Sequence, residues 1–460
     1  MFNFFELNPV LSQLIFVFST IFDNETRIVS FKLILLALSV IVTAGCFSIS
    51  YSYNHFMNLF TDKKLNSFYN MINESKIDLN RWEFNLIQLA LQLLLENCPY
   101  PLLLIIDDTI VTKFGKKFQM VTNLYDHSSK NNDKYVNGHC FICLILGLPV
   151  FIFGKLYYIR IPVALRMWIP EKFSSETKKY KTKLHIADEL LRQAMRVIGS
   201  EIMVVLLADS WYPKGPICQF IREHKNVAGI FNVRVNTAIY ALPSNQEGKR
   251  GRPAKKGKKL DIKEIPLVDV PGTNYRVGYC EVITNLFGTD MVVRVMVTET
   301  KKTKTRRLFI CTNPELCAVD LNVIAKKDLR AIGSTVSELI CFGLYGYRWN
   351  IEVAFMELKR FWGLNEYRVM TVDGIERLLN LQLIVYAVLC LMPYRDKAYE
   401  CLHNYSIQER RFAVGKLIEH LLFTWGSIAD LPNDEKDGNF AQLLRQLAQK
   451  ITVFFDRRTG

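Results

Sequence analysis

Tyr345-Gly-Tyr-Arg348-Trp-Asn-Ile-Glu352-Val-Ala-Phe-Met-Glu-Leu-Lys359 decides how the rest of this 460-residue chain is read. On an α-helix, at about 100° per residue, Tyr345, Arg348, Glu352 and Lys359 fall within an arc of roughly 60°. Ile351, Ala354, Phe355, Leu358, Phe361 and Trp362 gather beside and behind that arc, as an apolar stripe facing a core does. The spacing predicts one helix that is held by its apolar face and presents a phenol, a guanidinium, a carboxylate and an ammonium in a row. That row is about 21 Å long, more than a small metabolite needs and suited to a polymer. Taken alone it is equally an ion-pair ladder on a helix surface.

Two apolar runs upstream have a common form. Pro101-Leu-Leu-Leu-Ile-Ile-Asp107-Asp108-Thr109 reads as a buried strand that stops at carboxylates, and so does Ile202-Met-Val-Val-Leu-Leu-Ala-Asp209-Ser210. Strand ends of open α/β sheets are where sites form. An aspartate there is often only a turn or helix cap. Two strand-end aspartates and a helix glutamate, however, are the oxygen ligands a hard cation such as Mg²⁺ takes.

The order of these residues resembles the insertion-sequence DDE transposases of the YREK-signature (IS-four-type) group. Asp-Thr follows one strand, Asp follows a second, and Tyr345, Arg348, Glu352 and Lys359 repeat the Tyr-(2)-Arg-(3)-Glu-(6)-Lys signature without a gap. The resemblance spans about residues 102–364. It implies an α/β fold: a ribonuclease-H-like catalytic core with a β-strand insertion, flanked by helical N- and C-terminal regions. It also implies that Asp108, Asp209 and Glu352 are catalytic and hold two Mg²⁺ ions, with Mn²⁺ as a substitute. Asp108 is taken over Asp107 because the family's ligand directly precedes Thr. Tyr345, Arg348 and Lys359 would hold transposon-end phosphates. The implied activity is cut-and-paste transposition on double-stranded DNA, at terminal inverted repeats and a target, by a homodimer. Alternatives are a related nuclease without strand transfer and an inactive DNA-binding derivative. Relatives stack a flipped base on a tryptophan of the insertion; here the six tryptophans, at 82, 168, 211, 349, 362 and 425, all lie outside it.

Charge agrees with a polyanionic partner. The net charge is +14, and Lys249, Arg250, Arg252, Lys255, Lys256, Lys258 and Lys259 crowd one stretch. Within it, Arg250-Gly-Arg252-Pro resembles an AT-hook core, whose arginines lie in a narrow minor groove; a solvated loop is the plainer reading. Arg250, Arg252, Lys255 and Lys256 are therefore candidate DNA contacts.

Eleven cysteines are scattered, and His139-Cys140-Phe-Ile-Cys143 has no second pair to complete a zinc site, so buried free thiols and a reducing cytoplasm are expected. His139 and His185 are expected to be structural. Leu33 to Phe47 is apolar but about fifteen residues long, short of the roughly twenty that span a bilayer. A buried helix, no membrane, and a cytoplasmic, nucleoid-associated protein are the expectation. The chain is expected to divide into helices over 1–100, to which the resemblance gives a DNA-end-binding role, the first part of the core over 101–232, an insertion with a basic loop over 233–328, the third-acid helix over 329–370, and helices over 371–460. Within these, a helix is expected over 81–96, long strands over 138–153 and 155–166, and a helix over 182–198.

Overall fold

The computed structural model describes residues 9–43, 48–96, 98–115, 117–126, 134–174, 179–243, 254–270, 273–317 and 337–429. Five helices precede the first strand: α1 (Pro9–Ile21), α2 (Arg27–Val42), α3 (Ile49–His55), α4 (Leu65–Glu74) and α5 (Leu79–Leu91). Thr26, Ser48 and Asp78 cap α2, α3 and α5 by accepting first-turn N–H groups. The Asp78 cap starts α5 before Arg81, and the helix stops at Leu91, short of the expected Glu96. In α2, Leu33 to Ile41 are all buried. The helix packs against two C-terminal helices as well as α1 and α3, which explains its apolar character on every side.

The core follows as β1 (Leu102–Thr112), β2 (Thr122–Tyr125), β3 (Tyr135–Ile152), β4 (Lys155–Trp168), α6 (Lys183–Ile198), β5 (Val204–Ala208), α7 (Gly215–Glu223) and β6 (Val227–Val233). The strands lie in the order β4-β3-β1-β5-β6. β3 is antiparallel to β1 and β4, while β5 and β6 run parallel to β1. An antiparallel hairpin followed by helix-crossed parallel strands is the ribonuclease-H-like arrangement. At Gly138, β3 pairs with β1 and β2 at once, and a Cβ there would lie 2.2 Å from Val111 O, so a side chain would force the strands apart.

β7 (Ile239–Tyr240), β8 (Lys259–Leu260), β9 (Val268–Asp269), β10 (Tyr275–Thr284), β11 (Val292–Thr300) and β12 (Arg306–Cys311) form the inserted strands. β12 pairs antiparallel with β6, from Leu308↔Val233 to Cys311↔Ile230. The insertion thus extends the core sheet to twelve strands.

A 3₁₀ segment, Ser337–Arg348, leads into α8 (Trp349–Phe361), followed by α9 (Val372–Arg395) and α10 (Ile407–Ala429). α9 is long and apolar enough to cross a membrane, yet 89% of its apolar window is buried within the protein. It covers the outer edge of β4. Leu165 N donates to Asn380 Oδ1 (3.0 Å), Asn380 Nδ2 returns a bond to Leu165 O (2.8 Å), and Met167 N donates to Glu376 Oε1 (2.6 Å). These side chains satisfy backbone groups that an edge strand leaves open. α8 is tied into the same layer: Glu357 accepts from Arg160 of β4 (3.0 Å) and from the Tyr386 hydroxyl of α9 (2.5 Å).

Candidate active site

β1 does not stop at its carboxylates, as the apolar run suggested, but continues to Thr112. Its antiparallel ladder with β3 passes through Asp107↔Cys143 and Asp108↔Ile142. Its parallel ladder with β5 ends at Ile105↔Leu207. The acids sit where the neighbouring strand finishes, and Asp209, one residue past β5, occupies the notch so formed.

Side chains alternate across a strand, so Asp107 and Asp108 face opposite sides of the sheet. Asp107 Oδ2 accepts from Arg348 Nη1 at 3.3 Å. Asp108 Oδ2 accepts from Lys183 Nζ at 2.6 Å and from the Cys140 thiol at 3.2 Å. Lys183 opens α6, where the Thr182 hydroxyl accepts from His185 N, and its ammonium lies 5.5 Å from the Trp168 ring and 5.9 Å from that of Trp211. Sequence reasoning missed Lys183, Cys140 and both tryptophans. Lys183 was one cation in a lysine-rich run, and only the position of the helix start singles it out.

Asp209 Oδ1 accepts from Trp211 N (2.9 Å), a turn that fixes the carboxylate. Its charge is felt at Asp107. Burial first, then the Asp209 and Asp108 charges, push the Asp107 carboxyl up to about 7, partly offset by the Asp108 N–H and Arg348. An unfolded Asp ionises near 3.8, so between that pH and 7 the folded chain keeps a proton the unfolded chain has lost. The stabilising contribution is complete below pH 4 and disappears as the pH rises towards 7. In buffer without divalent cations, Asp107→Asn should gain a few kcal/mol of unfolding free energy over the wild type between pH 4 and 7.5. Parallel stability curves in denaturant titrations would refute this.

Tyr345-to-Lys359 is not one α-helix. In the 3₁₀ segment residues i and i+3 eclipse, which stacks Tyr345 over Arg348; α8 then sets Glu352 one α-turn on, where Arg348 Nη2 donates to Glu352 Oε1. Tyr345 is turned inward. Its ring meets Phe309 of β12 edge-on at 5.2 Å, and burial pushes its hydroxyl up to about 12. Lys359 Nζ donates to Ile110 O at 2.8 Å, with burial lowering its pKa.

A cleft of about 690 Å³ brings together Asp107, Asp108, Asp209, Lys183, Arg234 and Lys359. Glu352, Arg348 and Tyr345 do not line it; Glu352 joins through Arg348, which bonds both Asp107 and Glu352. Among the described residues no three His, Cys, Asp or Glu side chains are gathered to hold a metal. The donor chemistry nonetheless suits an oxygen-preferring divalent ion: burial and neighbouring carboxylates push the Asp107 carboxyl up to about 7, and the buried Tyr212 hydroxyl, close enough to feel Asp107, Asp108 and Asp209, has no hydrogen-bond partner among the described residues.

Arg250 and Arg252 lie outside the described residues. Lys255 is exposed, and Lys256 covers the Tyr240 ring (3.8 Å) and donates to Asn285 Oδ1 (3.3 Å). His139 is structural, as expected: Nε2 donates to Gln119 O (2.8 Å), Nδ1 accepts from the Tyr367 hydroxyl (2.6 Å), and burial favours the neutral ring. The ten described cysteines are free thiols.

A ribonuclease-H-like sheet with acids gathered at the end of its parallel half is the framework of metal-assisted phosphoryl transfer on nucleic acids. Residues 57–273 match the family model described as DDE superfamily endonuclease, and residues 176–388 match the one described as Transposase DDE domain. No curated protein matches the chain. The first match takes in Asp107, Asp108 and Asp209 and the second Asp209 and Glu352, so the chain is similar to DDE transposase and endonuclease domains across its acids. Transposase or endonuclease function in general follows.

Proposed function

We propose that this protein is a cut-and-paste DNA transposase of the YREK-signature group, which nicks the ends of its element and joins the freed 3′ hydroxyls to target DNA. The observation that carries the reading is the Asp107–Arg348–Glu352 bridge beside Asp209: it links the β1 acid to the α8 acid of the signature. Asp107, Asp209 and Glu352 are the acids we assign. The resemblance implies Asp108; we take Asp107 because Arg348 ties it to Glu352, whereas Asp108 is bonded to Lys183 and Cys140. Mg²⁺ held by these acids, with Mn²⁺ as a substitute and two ions as the expected number, would supply a lowered water pKa and charge stabilisation at the phosphorus.

The chain's own residues do the rest. Lys359 and Arg234 line the cleft as cations for the scissile strand. Lys255 and Lys256, with Arg250 and Arg252, extend the electrostatic footprint along the duplex. Tyr345 supports Arg348 from its half-buried position against Phe309. Helices α1–α5 are assigned to recognition of the terminal inverted repeats. Because two ends must be cut together, the working unit is a homodimer on DNA.

The test uses a duplex carrying the DNA that flanks the coding gene, where inverted repeats should lie. Purified protein should nick it in Mg²⁺ or Mn²⁺, stop on addition of EDTA, and yield joined product when plasmid is added. Absence of nicking in either metal would overturn the proposal. Nicking without joined product would replace it with a nuclease that lacks strand transfer.

A further inference from the structure

Arg348 occupies the place where a cation is needed. Its guanidinium spends one arm on Asp107 Oδ2 and the other on Glu352 Oε1. It is only 16% exposed, so water screens the pairing weakly. A planar fork of this kind satisfies two carboxylates at once. Asp107 and Glu352 cannot give the same oxygens to a divalent ion, which demands ligands at about 2.0–2.1 Å.

We propose that Arg348 is a resident counter-ion: a divalent metal must displace it, and the released guanidinium is taken up by a DNA phosphate. The inference rests on Asp107 and Glu352 being metal ligands. Since the two carboxylates and the phosphate are alternative partners of one side chain, metal and DNA favour each other's binding, and the coupling is the same in either order. A site of this kind holds metal more weakly until a phosphate arrives. Lys183 cannot serve in this way, because it bonds to Asp108 alone of these acids.

The test is a calorimetric titration of Mn²⁺ into the full-length protein, with and without a duplex of element-end sequence, the duplex alone being subtracted. Wild type should bind Mn²⁺ on the order of tenfold more tightly with duplex present. Arg348→Gln should reach on the order of that affinity without duplex and gain little when duplex is added. Arg348→Lys keeps the charge but loses the fork, and should resemble Arg348→Gln. The inference is overturned if duplex leaves wild-type Mn²⁺ affinity unchanged, an arm that requires no variant. It is also overturned if Arg348→Gln binds no tighter than wild type, or if Arg348→Lys behaves like wild type, which would mean net charge rather than the bridge. Unchanged Mn²⁺ binding in Asp107→Asn and Glu352→Gln would instead remove the ligand assignment.

Discussion

Asp209→Ala should lower DNA-end nicking by about 10³-fold, the equivalent of several kcal/mol of charge stabilisation, while binding of the same duplex stays within a few-fold. The expectation follows from position. Asp209 leaves β5 at the point where the parallel ladder with β1 has ended, and it is the first charge felt by the Asp107 carboxyl. The substitution also removes the bond from Trp211 N, so a loss of about 1 kcal/mol in stability accompanies it. That loss is too small to explain a dead enzyme, and comparing thermal unfolding with single-turnover nicking separates the two effects. Mg²⁺-dependent nicking at near wild-type rate in Asp209→Ala would remove the site assignment.

The second large effect concerns the neighbouring aspartates, whose roles are expected to diverge in sign. Asp107→Asn should match Asp209→Ala in lost nicking, yet raise the melting temperature at neutral pH, because it removes a carboxyl that burial first and neighbouring carboxylates second disfavour in its charged form. Asp108→Asn should keep measurable nicking but melt earlier. It leaves the Lys183 ammonium, 24% exposed between two tryptophans, without its charge partner, at a cost of about 1–3 kcal/mol. One pair of variants therefore gives opposite orders in activity and stability. If Asp108→Asn is the inactive one and Asp107→Asn cuts DNA, the first acid is the one directly before Thr109.

Much of the framework was legible in the residues. The apolar runs ending in Asp107-Asp108 and Asp209 marked buried strands because only a strand covered on both faces tolerates such a sequence. β3 and β4 lie close to where apolar length put them. The site was less legible. Nothing in the order Asp107-Asp108-Thr109 says which face of the sheet each carboxylate meets, since that depends on which helix covers which side. Lys183 and Cys140 are far apart in the chain and come to Asp108 only through the α6 start and the β1–β3 register. The signature row was read as one helix, whereas its first half is 3₁₀, and the change turns Tyr345 inward against Phe309.

Local chemistry along the chain thus determined which residues carry charge, where apolar runs interrupt them, and the spacing that joins Arg348 to Glu352, because those are properties of neighbours in sequence. The tertiary structure alone decided that a guanidinium rather than open water lies between Asp107 and Glu352, and that the insertion continues the core sheet through β12 and β6. Each of those depends on contacts between segments separated by tens to hundreds of residues. Strand register and helix placement set such contacts, and no local pattern encodes them.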